Sequence, residues 1–299
     1  MVSSSREQEW WEARAGAIPP HAYFVVSAIF HYLGPAFAVL LFARVDVLGV
    51  AWLRIASAAL IFAAWRKPWR AWSDFSRTTR RTMIAWGCVL AAMNSCFYVA
   101  IDRLPLSTVA AIEFIGPICL AAVGVRTRRN ALALLLAGVG VYMLTGVRLT
   151  GEPLGFAFAF ANAALFTLYI VLGHRAAQSG AASGIDGLGL AMLIAALGAA
   201  PLGLWDAGAE LLDPIVLAAG IGVGISSSVI PYVSDQLALG RLSRATYALF
   251  VSLLPATATI IGIIVLAQIP SVKELLGVGL VIAGVAVHEE RRESRAPKT

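Results

Sequence analysis

Arg103-Leu104-Pro105-Leu106-Ser107-Thr108-Val109-Ala110 and Arg241-Leu242-Ser243-Arg244-Ala245-Thr246-Tyr247-Ala248 lie 138 residues apart and align residue by residue. The same offset pairs Ala100 with Ala238, Pro117 with Pro255, and Gly146-Val147 with Gly284-Val285. Each stretch introduces a long apolar run. A duplicated unit of this size, built from apolar runs, predicts two related halves packed within one membrane protein.

Composition supports the membrane. Of 299 residues, 59% are hydrophobic and 13% charged, and the mean hydropathy is +0.80. A soluble domain carries roughly 25% charged residues to keep its surface wet. This chain cannot cover a globule with charge, so lipid must serve as its solvent. The net charge of +6 does not indicate nucleic acid, because the basic residues sit between the apolar runs.

A spanning helix needs about 20 apolar residues, since the hydrocarbon core is about 30 Å thick and each residue rises about 1.5 Å. Ten segments pass: 20–43, 46–65, 82–101, 104–125, 130–147, 153–174, 186–205, 213–239, 242–267 and 271–288. The expected fold is all-α and integral to the membrane, with a five-helix half at 20–148, a second at 149–288, and cytoplasmic tails at 1–19 and 289–299. The N-terminus does not read as a signal peptide, because Arg6 and Arg14 alternate with Glu7, Glu9 and Glu12. Trp10 and Trp11 could anchor it at the headgroups, or it could be a plain tail.

Basic residues stay cytoplasmic. With the N-terminus inside, 18 Lys and Arg residues fall on the inner side and four, Arg44, Arg103, Arg148 and Lys273, on the outer. Both termini are then cytoplasmic. A shift of five helices reverses direction, so Arg103 falls outside and its counterpart Arg241 inside. Inverted halves of this kind build secondary transporters whose substrate sits near the midplane between them.

Polar groups inside the spans are the candidate site, because a charge at the bilayer centre costs about 2.5–3.5 kcal/mol. Glu113 lies deep in the fourth span, four residues before Pro117. It could hold a substrate ammonium, act as a proton carrier, or bond to a neighbouring helix. His31 and Tyr32 precede Gly34-Pro35, where proline frees a backbone carbonyl. Asn94 and Tyr98 are one turn apart, and Asn162, Phe166 and Tyr169 repeat that face in the sixth span. The eighth span carries three glycines, Ser226-Ser227-Ser228, Pro231, Tyr232 and Asp235. That composition predicts a broken or closely packed helix, with Ser228 and Tyr232 toward a pocket. Close helix packing without a ligand is the structural alternative for these polar residues. Arg54, eight residues after its helix begins, reads as snorkelling or pairing with a carboxylate near a membrane face. Cys88, Cys96 and Cys119 lack metal-ligand spacing and read as small core residues.

Other classes fit less well. Ser226 and His31 could supply a nucleophile and base, but Gly224-Ile225-Ser226-Ser227 is not a GxSG motif and no HExxH is present. No ring of charges suggests a channel. A non-enzymatic carrier, with no catalytic residue, metal or cofactor, takes a small-molecule substrate in the bilayer.

Trp52-Leu53-Arg54-Ile55, the run Leu104 to Leu120 (LPLSTVAAIEFIGPICL), its counterpart Leu242 to Ile264, and Gly277-Val278-Gly279 with Ala283-Gly284-Val285 together resemble the EamA branch of the drug/metabolite transporter superfamily. Ala111 to Pro117 is most similar to its amino-acid exporters, the threonine/homoserine and aromatic amino-acid groups. The resemblance implies export of amino acids or related metabolites across a bacterial inner membrane. Related sequences commonly place glutamates where this chain has Leu254 and Gln268.

Overall fold

The structure, a computed structural model, describes residues 19–124, 127–148, 152–178, 185–239 and 253–287. The tails with Trp10 and Trp11 and the segment holding Arg241 to Ala248 lie outside the described residues. Twelve α-helices follow in chain order among the described residues: α1 Pro20–Leu41, α2 Val47–Arg66, α3 Arg77–Arg103, α4 Leu106–Glu113, α5 Ile115–Gly124, α6 Arg128–Arg148, α7 Pro153–Gln178, α8 Ile185–Ala207, α9 Pro214–Gly224, α10 Ile230–Leu239, α11 Leu254–Leu266 and α12 Val272–Val287. No strand occurs among the described residues.

Six helical stretches there are long and apolar enough to cross a bilayer. Their outward faces carry large apolar side chains such as Leu60, Leu197 and Ile221, a surface that water would penalise and lipid accepts. The chain is a multi-pass membrane protein. Cys88 is exposed on that surface and Cys96 and Cys119 are half-buried. The expectation of core cysteines is corrected: a thiol packs against lipid as a small hydrophobe at little cost.

Two long spans are interrupted. At Phe114 a turn separates α4 from α5, because Pro117 has no N–H to return to the Glu113 carbonyl. Between α9 and α10, Ile225–Val229 forms a π-helical turn in which the Ile230 N–H reaches back to the Ile225 carbonyl. Pro231 likewise offers no N–H to the Ser227 carbonyl four residues earlier.

α3 packs along α7, α2 along α8, and α6 along α12, while α1 packs on the π turn, α10 and α11. One apolar cluster joins α1, α4, α6, α11 and α12 around the centre, and another fills the space between α2, α3, α7 and α8. α2 and α8 are tied at both ends. Arg66 donates from Nε to Asp186 Oδ1 at 2.6 Å and from Nη2 to Oδ2 at 3.0 Å. At the other end Asp206 Oδ2 accepts from the Leu48 and Gly49 amides at 2.8 and 3.2 Å. Asp46, at the cap position of α2, makes no side-chain capping bond, so a neighbouring helix caps α2 instead. Asp206→Ala leaves two first-turn amides without that acceptor and is expected to cost about 0.5–2 kcal/mol, the range for a lost cap. A lowered apparent Tm in detergent checks this, whereas Asp46→Ala should leave Tm nearly unchanged.

Candidate functional site

The two interrupted spans and α1 bring their polar groups together at the bundle centre. Glu113, 6% exposed, ends α4 where the proline-broken span turns. Its Oε1 accepts from Asn162 Nδ2 of α7 at 3.2 Å. Tyr32 of α1 is fully buried, lies edge-on to His31 with centroids 5.1 Å apart, and is within electrostatic reach of Glu113.

Arg54 completes the group. It is 7% exposed and donates from Nε to Ser228 Oγ at 3.0 Å and from Nη2 to the Ser227 carbonyl at 3.0 Å. That carbonyl is the one Pro231 leaves without an α-helical donor. The guanidinium also lies over the Tyr98 ring, 5.5 Å from its centroid, and within electrostatic reach of Glu113 and His31. The π turn approaches α1 closely: a Cβ on Gly34 would meet the Ser227 backbone N and Cα at 2.6 Å. Glycine is what lets α1 and the serine turn touch.

The site holds unused hydrogen-bonding capacity. The Tyr32 hydroxyl and Asn162 Oδ1 are buried without a hydrogen-bond partner. Among the described residues no group of three or more His, Cys, Asp or Glu is arranged to hold a metal ion. Carboxylate, guanidinium, amide and phenol gathered among buried residues offer groups that can recognise a small solute bearing both charges.

In fold, a solved crystal structure matches with a TM-score of 0.60 at 17% identity, over 89% of this chain and 96% of that one. Residues 153–288 match the EamA-like transporter family. The threonine/homoserine exporter RhtA of Escherichia coli K12 is 34% identical over 253 residues, 84% of each chain. Its counterpart in Salmonella typhimurium LT2 is 33% identical over 257 residues, again 84% of each. The chain belongs to the EamA-like transporter family. Membership makes it a transporter and not an enzyme.

Within this EamA-like transporter the candidate residues divide. His31, Tyr32, Tyr98, Glu113, Asn162 and Ser228 gather around Arg54. Asn94 is buried, but its Nδ2 donates to the Leu90 carbonyl of its own helix at 2.8 Å. Tyr169 stacks on Phe166, with centroids 6.3 Å apart, and tilts against Trp86 at 5.5 Å. Tyr169 and Tyr232 both pack on the apolar cluster between α2, α3, α7 and α8.

Arg54 is the residue that sequence reasoning misplaced: it neither snorkels nor pairs with a carboxylate at a face. Seven residues from the start of α2 place it about 11 Å along the axis, about a third of the length of a span that crosses a core about 30 Å thick. Gln268 accepts at Oε1 from the Leu106 amide at 3.0 Å. It caps the first residue of α4, about 12 Å along the helix axis from the interruption at Phe114.

Proposed function

We propose that the chain is a secondary carrier that exports a small neutral amino acid of the threonine/homoserine type from the cytoplasm by alternating access. The observation that carries the reading is Glu113, a carboxylate sealed in the bundle centre with one amide as its hydrogen-bond partner, in a chain 34% identical to an amino-acid exporter. Glu113 takes the substrate ammonium, with Asn162, Tyr32, Tyr98, His31 and Ser228 around it. Because Tyr169 and Tyr232 pack elsewhere, a small side chain suits the centre better than an aromatic one.

The carrier has ten spans in two inverted halves, 20–148 and 149–288, and resides in the bacterial inner membrane with both termini cytoplasmic. The packing supports this reading. Exchange α1 with α7, α2 with α8, α3 with the α9–α10 span, α4–α5 with the span ending in α11, and α6 with α12. The pairs α2–α8 and α6–α12 map onto themselves, α3–α7 maps onto the α9–α10 span against α1, and α4–α7 maps onto α11–α1, all of which occur. Ion pairs also join ends that the charge count puts on one face: Arg66 with Asp186 inside, Arg103 with Glu152 and Arg44 with Asp213 outside.

Two measurements test the reading. Labelled threonine is expected to exchange saturably in proteoliposomes, and flux linear in concentration would favour a channel. Single cysteines at positions 103 and 241 should label from opposite faces of the membrane; labelling from one face would remove the inverted repeat and the carrier mechanism with it.

A further inference from the structure

We infer that Arg54 is the anchor for the carboxylate of the transported substrate. The inference rests on the amino-acid reading above and assigns the group that reading leaves open.

An arginine buried inside a membrane bundle that only stabilised the fold would be expected to sit against a carboxylate, because an uncompensated buried charge is costly. Among the described residues Arg54 forms no ion pair. Its two hydrogen bonds go to neutral acceptors, a serine hydroxyl and a backbone carbonyl. A guanidinium has five donors in a planar fork that matches a carboxylate bidentately, and these contacts engage two of them. Glu113 is within electrostatic reach, but its hydrogen bond goes to Asn162.

A second observation is independent of charge. The Tyr32 hydroxyl and Asn162 Oδ1 are buried without partners, and the Tyr98 ring lies beneath the guanidinium, which is 5.5 Å from its centroid. Each such group costs about 1–3 kcal/mol when left unsatisfied. Two of them beside an arginine with donors to spare point to a polar ligand that completes them. A dipolar amino acid does so, with its carboxylate on Arg54 and the Tyr32 hydroxyl and its ammonium on Glu113 and Asn162 Oδ1.

The test is competition against labelled threonine counterflow in proteoliposomes of the full chain, using unlabelled threonine, threonine amide and N-acetylthreonine. Wild type is expected to reject both analogues at least ten-fold relative to threonine. Arg54→Gln should raise the threonine KM at least ten-fold and lose discrimination against the amide while retaining it against N-acetylthreonine. Glu113→Gln should show the reverse pattern, and Arg54→Lys should restore discrimination in part. A merely structural arginine would lower activity without changing which analogue is rejected. The wild-type ratios do not depend on any variant folding. Equal competition by threonine and its amide in wild type, or a wild-type ratio in Arg54→Gln, overturns the inference while sparing the function. If no amino acid competes with threonine in wild type, or threonine does not exchange, the function reading falls and the inference with it.

Discussion

Replacing Glu113 by glutamine is expected to cut saturable threonine flux at least thirty-fold while leaving the yield of folded protein near wild type. The two halves of that result come from different properties of one residue. Glutamine has nearly the shape of glutamate, and its Oε1 can still accept from Asn162 Nδ2, the hydrogen bond seen at 3.2 Å. What it cannot do is balance an ammonium. Removing one partner of a desolvated charge pair costs about 2–5 kcal/mol, which at about 1.4 kcal/mol per decade is roughly thirty-fold to several-thousand-fold. Glu113→Ala, by contrast, should lower both flux and yield, since it strands the Asn162 amide and opens a void in the apolar cluster around α4. Flux in Glu113→Gln within a factor of two of wild type would remove the carboxylate from the transport cycle. Repeating counterflow with and without a pH gradient then separates two duties. If Glu113 also carries a proton, the gradient alters wild-type accumulation and has no effect in Glu113→Gln; if no gradient alters wild type, the proton role is dropped and only the ammonium contact stands.

What could be read without coordinates was set by how local each signal is. Glu113 stood out because one carboxylate in an apolar run has no local explanation, and Pro117 four residues later marks a break that depends on backbone chemistry alone. The Ser226 to Ser228 interruption was legible for the same reason, with Pro231 four residues beyond Ser227. Depth and facing were not. Asn162 and Tyr169 share one helix face by spacing, yet seven residues separate them by about 10 Å along the axis. Asn162 therefore meets Glu113 while Tyr169 stacks with Phe166 and Trp86. Asn94 illustrates another limit: periodicity fixes a face, but an asparagine can bond its own helix, as Asn94 does to Leu90. Arg54 was misplaced because the snorkelling argument considers only distance to the helix end. Its actual partners come from a span more than 170 residues away in sequence, which no local pattern encodes.

The second large effect is expected at the contact between α6 and α12, where Gly140→Leu or Gly277→Leu should abolish most folded protein and Gly138→Leu or Gly279→Leu should not. A Cβ on Gly140 would lie 2.6 Å from the Gly277 carbonyl oxygen, and one on Gly277 2.8 Å from the Gly140 carbonyl oxygen. Both obstacles are backbone, so no rotamer change relieves them and the helices must separate. Lipid supplies no hydrophobic force to hold helices together, so their association depends on such close approach. Overpacking of a side-chain core typically costs about 1–3 kcal/mol, and a backbone clash that parts two helices should exceed that. Two residues away on the same helices, Gly138 and Gly279 have nothing within 4 Å of an added Cβ. Leucine there should simply face lipid and favour the helix by about the 1 kcal/mol that glycine forfeits. The contrast separates close packing from any general intolerance of α6 or α12 to bulk. Under the proposed exchange of halves α6 and α12 are counterparts, so they cross at the pseudo-twofold axis, and among the described residues neither has another partner of equal extent to fall back on. Equal loss of folded protein at all four positions would mean that the close face of these helices is not the one described, and the pairing of α6 with α12 would have to be given up.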